Sequence, residues 1–376
     1  MGLTQYSLRF GHGSFFGYDF VVLTTKNSQT SRPLLSHQNH FEFGYERDGV
    51  FHPFSARKNS TDSWTVRYGR SRRMPMGFRS ECGETARTIR RDTNDPIVVL
   101  FSGGADSEVA LRAFAESGIA VSVAILRFAE DLNIHDYAWA VMICETLRVP
   151  YRFYDLDLRK FWKTEAIEYA KATQCVSPQL LSTMWLVDQV EGYPVLGSGE
   201  HYIAKRPPAN PSQASEAYPR THWDLIEKEK IAAWYRHFLV RGRSGCPGFF
   251  QYTPELMLSW LVDPMGLDLW NDRIPGKLDS MSTKLRFYKQ HFDIKDRPKY
   301  SGFEKLTSED LLFRTTLYDL FSDADWAYAT PVPYLVRSLS PKPESYPPSE
   351  VLSQAPISLG EPELPTPYRY KMSRPV

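Results

Sequence analysis

Residues 79–210 alternate short continuous apolar runs with segments in which apolar residues recur every three or four positions. A continuous apolar run predicts a strand buried on both faces of a parallel sheet, and a three-to-four repeat predicts an amphipathic helix. The runs predict strands over residues 97–101, 121–126, 151–154 and 193–197. The repeats predict helices over residues 81–91, 107–117 and 135–147. This alternation is typical of βαβ units, so we expect an α/β fold with a right-handed, doubly wound parallel sheet.

The chain has a different pattern on either side of this region. Residues 1–78 are rich in aromatic, Gly, Ser and Arg residues with short alternating runs, which predicts a small β-rich N-terminal extension. Residues 211–330 show helical repeats at 223–240 and 254–262, which predicts a helical elaboration that completes the site. Residues 331–376 hold eleven of the 27 prolines, interspersed with tyrosine and aliphatic residues. They predict an extended arm that docks on the chain's own body, on a protein partner or on a second copy in a homo-oligomer.

Composition excludes some function classes. Lys and Arg number 45 against 44 Asp and Glu, so the net charge gives no support for nucleic-acid binding. The four cysteines form no Cys-x-x-Cys pair, which favours reduced thiols over a zinc site. No run reaches the ~18 apolar residues of a membrane span, and the N-terminus has no signal-peptide pattern. We therefore expect a cytoplasmic protein with no membrane contact.

The first predicted strand leads into a glycine-rich turn at the start of a helix. Its sequence is Ser102-Gly103-Gly104-Ala105-Asp106-Ser107. Glycines allow positive φ and a close approach of backbone N–H groups to phosphate, and the helix N-terminus adds unpaired N–H groups and a positive dipole end. The two hydroxyls can donate to phosphate, and the aspartate can hold Mg²⁺ between phosphates. A common surface turn with a helix N-cap is the alternative, but the buried strand before it and the amphipathic helix after it favour an anion site.

The strand, the Ser-Gly-Gly-x-Asp-Ser turn and the helix resemble the signature of the N-type ATP-pyrophosphatases, the PP-loop family. The closest likeness is to the synthetase domains of asparagine synthetase and β-lactam synthetase. Further segments resemble those domains in the same order, at residues 136–140, 147–151, 195–200, 282–286 and 297–303. The resemblance implies ATP and Mg²⁺ as cofactors, with cleavage of ATP between its α- and β-phosphates. It implies an AMP-forming ligase or amidotransferase that adenylates an unknown acceptor for attack by ammonia or an amine.

The same resemblance assigns roles to individual residues. The residues expected to contact ATP are Leu100, Phe101, Ser102, Gly103, Gly104, Asp106, Ser107, Leu126, Ser198 and Gly199. The adenine would lie against the end of the second strand near Leu126, and Asp106 would be the metal ligand. Glu200 would manage proton transfer as the nucleophile attacks. Lys284 would neutralise charge in the adenylating transition state.

Two features depart from the family pattern. The family follows its second signature with an aspartate that binds Mg²⁺, whereas this chain has Ile203 in that place. A second oxygen ligand then has to come from elsewhere, with Glu200 the candidate, or metal binding is weakened. Asparagine synthetase also begins with a glutaminase domain whose nucleophile is an N-terminal cysteine, whereas this chain begins Met1-Gly2-Leu3. We expect the nitrogen to arrive as free ammonia or amine, or from a separate glutaminase.

Two other interpretations stay open. A PP-loop enzyme that modifies a nucleobase or tRNA is suggested by the basic cluster Arg67, Arg70, Arg72 and Arg73. A solvated loop explains that cluster better. The missing aspartate and the proline-rich arm favour a catalytically impaired PP-loop protein that acts as a structural or binding component of an assembly.

Overall fold

The computed structural model describes part of the chain at the level of secondary structure and contacts. The described residues are 11–15, 18–22, 41–53, 63–68, 73–173, 175, 177–199, 202–206, 222–226, 230–263, 280–297, 301–306, 308–310 and 312–313. The proline-rich arm at 331–376, Glu200, and Arg70 and Arg72 of the basic cluster therefore lie outside the described residues.

The strands and helices follow one another along the chain as the alternation of patterns predicts. The strands are β1 (Gly11–Phe15), β2 (Tyr18–Val22), β3 (Phe41–Arg47), β4 (Val50–Pro53), β5 (Ser63–Tyr68), β6 (Ile97–Leu100), β7 (Val121–Phe128), β8 (Tyr151–Leu156), β9 (Tyr193–Leu196), β10 (Tyr202–Arg206) and β11 (His222–Ile226). The helices are α1 (Phe78–Asp92), α2 (Ala105–Glu116), α3 (Ile134–Leu147), α4 (Leu158–Thr164), α5 (Ala166–Thr173), α6 (Pro178–Gln189), α7 (Lys230–Val240), α8 (Pro254–Val262) and α9 (Ser280–His291).

Four strands form a parallel sheet in the order β8-β7-β6-β9. In its register, Val99 of β6 lies opposite Val123 of β7 on one side and Val195 of β9 on the other. Beyond β9, the backbone of Cys246 pairs in parallel with Val195, so one further segment borders the sheet there. Each crossover between these parallel strands passes through at least one helix, and the predicted parallel α/β sheet is confirmed.

Alternate residues of the central strands enter different hydrophobic clusters. Val99 and Phe101 pack with buried residues of α1, α2 and α3. Val98 and Leu100 pack with buried residues of α6 and α7. Successive strand residues point to opposite faces, so both faces of the sheet are covered. This double burial explains the continuous apolar runs of the sequence.

One predicted helix is wrong in its first part. The helical repeat over 223–240 begins instead with β11, which pairs antiparallel with β10 so that Tyr202 lies opposite Ile226. Helix α7 begins only at Lys230. Pairing with a strand 20 residues away satisfies the backbone groups of 222–226 that face it, and a local repeat cannot report that partner. The predicted helix over 254–262 is confirmed as α8.

The three helices α4, α5 and α6 between β8 and β9 were not individually predicted. Their apolar residues form a second cluster that includes Leu158, Phe161 and Leu181. The strands β1 to β5 occupy the stretch predicted to be β-rich, with β4-β3-β5 forming one antiparallel sheet. The division into four domains, the doubly wound description and the role of the helical elaboration stay predictions. Among the described residues, no helix is long and apolar enough to cross a membrane.

All four cysteines are buried and none forms a disulfide, which leads to a testable expectation about thiol reactivity. Burial raises the pKa of Cys144 to about 12 and raises the pKa values of Cys82 and Cys246 as well. Because the thiolate is the reactive form, native protein at pH 8 is expected to react with a thiol reagent roughly 1,000-fold more slowly than a free cysteine. Protein unfolded in guanidinium should release four reactive thiols. Rapid labelling of any thiol in the native protein would contradict this burial.

Candidate functional site

The glycine-rich turn lies at the carboxyl end of β6 and leads directly into α2. Gly103 has φ of +75°, and a Cβ atom there would lie 2.3 Å from the carbonyl oxygen of Asp136 in α3. No other residue fits this position, because both the backbone conformation and the space exclude a side chain. Gly104 is the N-cap of α2, with φ −74° and ψ 154°. The first N–H groups of α2 thus open at the carboxyl edge of the sheet, where parallel α/β folds bind ligands.

The two serine hydroxyls of the turn have different positions. Ser102 is exposed, and its Oγ accepts a hydrogen bond of 3.4 Å from the backbone N–H of Gly104. Ser107 is buried, and its Oγ donates to the carbonyl oxygen of Gly104 at 3.0 Å. The two hydroxyls also lie 3.4 Å apart, and Ser102 is the donor in that contact because Ser107 gives its proton to Gly104. Ser102 is exposed and can turn this proton towards a phosphate, whereas Ser107 holds the turn in shape. Contact of either hydroxyl with ATP stays a prediction.

The second predicted signature meets the first at the end of β9. A Cβ atom on Gly197 would lie 2.4 Å from the Cα of Ser107, so the two backbones are in direct contact. Gly199 has φ of +86° and packs against the side chain of buried Gln251. Ser198 donates its hydroxyl proton to the carbonyl oxygen of Pro247 at 2.6 Å. Its Oγ can therefore accept a hydrogen bond from a ligand in this conformation but cannot donate one.

Helix α9 brings a lysine and a tyrosine onto Asp106. The Nζ of Lys284 lies 2.7 Å from Asp106 Oδ2, and the hydroxyl of Tyr288 donates to Asp106 Oδ1 at 2.7 Å. The two residues are four apart, so they project from the same face of α9. Lys284 was predicted to lie at the site, and the structure places it beside the turn. Tyr288 was missed, although its position one turn after Lys284 was visible in the sequence.

Asp106, the expected Mg²⁺ ligand, has two protein partners, and its role as a metal ligand stays a prediction. Its two carboxylate oxygens already bind a cation and a phenol. Within the part of the chain that the structure describes, no three His, Cys, Asp or Glu side chains group as a metal site. Ile203, at the position of the family's second metal aspartate, lies within β10 opposite Leu225. In the described residues, the negative charge of the Asp106 carboxylate is therefore neutralised by Lys284.

A second acidic residue of α2 is bound by two arginines. Glu108, fully buried, accepts from Arg112 Nε at 2.8 Å and also pairs with Arg297. Arg297 lies in one of the C-terminal segments that resemble the synthetase family, but its partner was not predicted. Glu108 and Arg112 lie one turn apart within the apolar part of α2, and this spacing was the sequence signal for a buried charged pair.

The remaining predicted ATP contacts lie at the ends of the central strands. Leu100 and Phe101 are buried, and the backbone N–H of Phe101 donates to Ala124 at 3.0 Å. Leu126 is half-buried, and its carbonyl oxygen accepts from the side-chain amide of Asn133 at 2.9 Å. The structure thus brings Leu100, Phe101 and Leu126 to the same edge of the sheet as the turn, and their contact with ATP stays a prediction.

No protein-family model and no curated protein matches this chain. Among solved structures it is similar to NMN synthetase from Francisella tularensis, at 14% identity over 59% of this chain and 98% of that chain, with a TM-score of 0.25. It is also similar to the NH3-dependent NAD synthetase from Campylobacter jejuni subsp. jejuni NCTC 11168 in complex with the nitrate ion. That likeness has 11% identity over 68% of this chain and 96% of that chain, with a TM-score of 0.27. At these values neither likeness carries information on ligand, substrate or partner.

Proposed function

We propose that the chain is an ATP-dependent, AMP-forming ligase or amidotransferase of the asparagine-synthetase type. One observation supports this most. Three segments that resemble that family, at 102–107, 195–199 and 282–286, meet at the carboxyl end of β6. Gly197 contacts the backbone of Ser107, and Lys284 binds Asp106 at 2.7 Å. Segments separated by up to 178 residues in sequence have no local reason to meet at one edge of the sheet.

The proposed reaction has two steps. ATP binds with its phosphates at the 102–107 turn, and a carboxylate or carbonyl oxygen of the acceptor attacks the α-phosphorus while pyrophosphate leaves. Ammonia or an amine then attacks the adenylated carbon, AMP leaves, and the nitrogen loses a proton. Glu200 is the proposed proton acceptor. Lys284 would stabilise the negative charge that builds up on the phosphates in the first step.

Pyrophosphate and AMP release from ATP, measured with candidate acceptors and added ammonia, test this proposal. We expect Lys284→Met to lower kcat by about 100- to 1,000-fold, because one electrostatic contact to the transition state is lost. Lys289→Met is the matched control, since Lys289 lies on the same helix but is exposed and pairs with Asp296. ADP as the product, or equal activity of the two variants, would contradict the proposal.

A catalytically impaired binding protein is the second candidate. The neutralised carboxylate of Asp106 and the isoleucine at position 203 favour it, because both reduce the oxygen ligands offered to a metal. ATP binding by calorimetry without product release under any acceptor would favour this candidate. The nucleobase or tRNA alternative gains nothing from the described residues, because Arg73 makes a bidentate pair with buried Glu81.

A further inference from the structure

A buried group of three charges lies at the first turn of α2. Glu108 is fully buried, and the side chains of Arg112 and Arg297 are 10% and 9% exposed. Two guanidinium groups share one carboxylate, so the group carries a net charge of +1. The neighbouring pair of Asp106 and Lys284 adds one negative and one positive charge. These five side chains therefore carry a net charge of +1, and loss of Arg297 would make them neutral.

The guanidinium of Arg297 shares its carboxylate partner with Arg112 and packs against an aromatic ring. Its guanidinium lies 5.0 Å from the centre of the Trp139 ring. Its buried Nη2 atom has no hydrogen-bond partner among the described residues, and neither has Nε1 of Trp139. A buried charge is screened little by salt, so its field reaches neighbouring groups.

Two contacts connect Arg297 with residues that border the glycine-rich turn. The backbone N–H of its partner Glu108 donates to Gly104 of the turn at 3.0 Å. Trp139 stands one turn along α3 from Asp136, whose carbonyl oxygen borders Gly103. Arg297 therefore lies between α2 and α3, the two helices whose first turns border the glycine-rich turn.

We propose that Arg297 is a positioning residue that raises the affinity of the 102–107 turn for the phosphates of ATP without touching them. With Arg297 the five charged side chains have a net charge of +1. This charge offsets the repulsion between the phosphates of ATP and the two carboxylates in the first turn of α2, Asp106 and Glu108. The proposal rests on the proposed function, since it takes ATP as the ligand of the turn. Lysine at this position would keep the charge, whereas methionine would keep the packing against Trp139 and lose the charge.

The experiment compares binding of ATP and of uncharged adenosine by calorimetry. We expect Arg297→Met to weaken ATP binding about 10- to 100-fold, the effect of one unit charge at an effective dielectric constant of about 20, and to leave adenosine binding unchanged. Arg297→Lys should bind ATP nearly as the parent does. The double variant Glu108→Gln/Arg297→Met regains a net charge of +1 and should recover ATP binding to within about threefold of the parent. If turnover is measurable, Arg297→Met should raise KM for ATP and leave kcat nearly unchanged.

Other results of these binding measurements would overturn the proposal. Equal losses of ATP and adenosine binding in Arg297→Met, with no recovery in the double variant, would show that Arg297 only fastens the C-terminal segment to α2 and would overturn the proposal. Unchanged ATP binding in Arg297→Met would overturn it as well. If Arg297→Met does not fold, the charge-restored double variant and Arg297→Lys test the proposal. Weak ATP binding by both would overturn the proposal. A parent protein that binds no ATP would refute the proposed function itself and this inference with it.

Discussion

Gly104→Val is expected to abolish ATP binding while leaving the protein about as stable as a matched control. A side chain at Gly104 would stand in the turn beside Ser102, whose Oγ lies 3.2 Å from the added Cβ, where a phosphate has to approach. The backbone of Gly104, at φ −74° and ψ 154°, accepts any residue. The loss of ATP binding should therefore come from steric exclusion of the phosphates and much less from backbone strain.

Gly77→Val is the control for this variant. Gly77 is also a glycine N-cap, at the start of α1, with φ −59° and ψ 151° and no atom within 4 Å of an added Cβ. Both variants put valine at an N-cap, a change that costs each about 1 kcal/mol. Calorimetry with ATP should show binding by the parent and Gly77→Val and none by Gly104→Val. Binding by Gly104→Val with the parent's affinity would show that the phosphates lie elsewhere.

Gly197→Ala is expected to have the largest effect on stability. The added Cβ would lie 2.4 Å from Ser107 Cα and 2.8 Å from Ser107 N, and neither backbone atom can turn away as a side chain can. Relief requires β9 and α2 to separate at the carboxyl edge of the sheet. We expect a loss of about 2–4 kcal/mol in the free energy of unfolding, or roughly 5–15 °C in Tm, with loss of ATP binding.

The control is Gly77→Ala, the same chemical change at a glycine with open space around it. Thermal unfolding followed by circular dichroism should separate the two variants clearly. A Tm of Gly197→Ala within about 2 °C of Gly77→Ala would mean that the two signatures do not touch as the structure has them.

The sequence predicted the central sheet well because its signals are local. Buried parallel strands require continuous apolar runs, and the runs at 97–101 and 121–126 became β6 and β7. The helix predicted over 107–117 became α2, and Gly118, two residues after its end, has φ of +68°. Strand β11 was predicted as a helix because its residues suit both structures and the choice depends on β10.

The sequence by itself determined the parallel α/β core and the glycine-rich turn, since each depends on residues adjacent in the chain. Tertiary structure decided how that turn is completed. The contacts of Lys284 and Tyr288 with Asp106, and of Arg297 with Glu108, span 178, 182 and 189 residues. The hydrophobic repeat of a helix does not predict such pairs, because a charged residue within the repeat can equally face water or bind a partner. The packing of α9 against α2 made that choice. Two side chains of α9 bind the aspartate expected to hold a metal, and a buried arginine six residues beyond α9 binds the glutamate of α2.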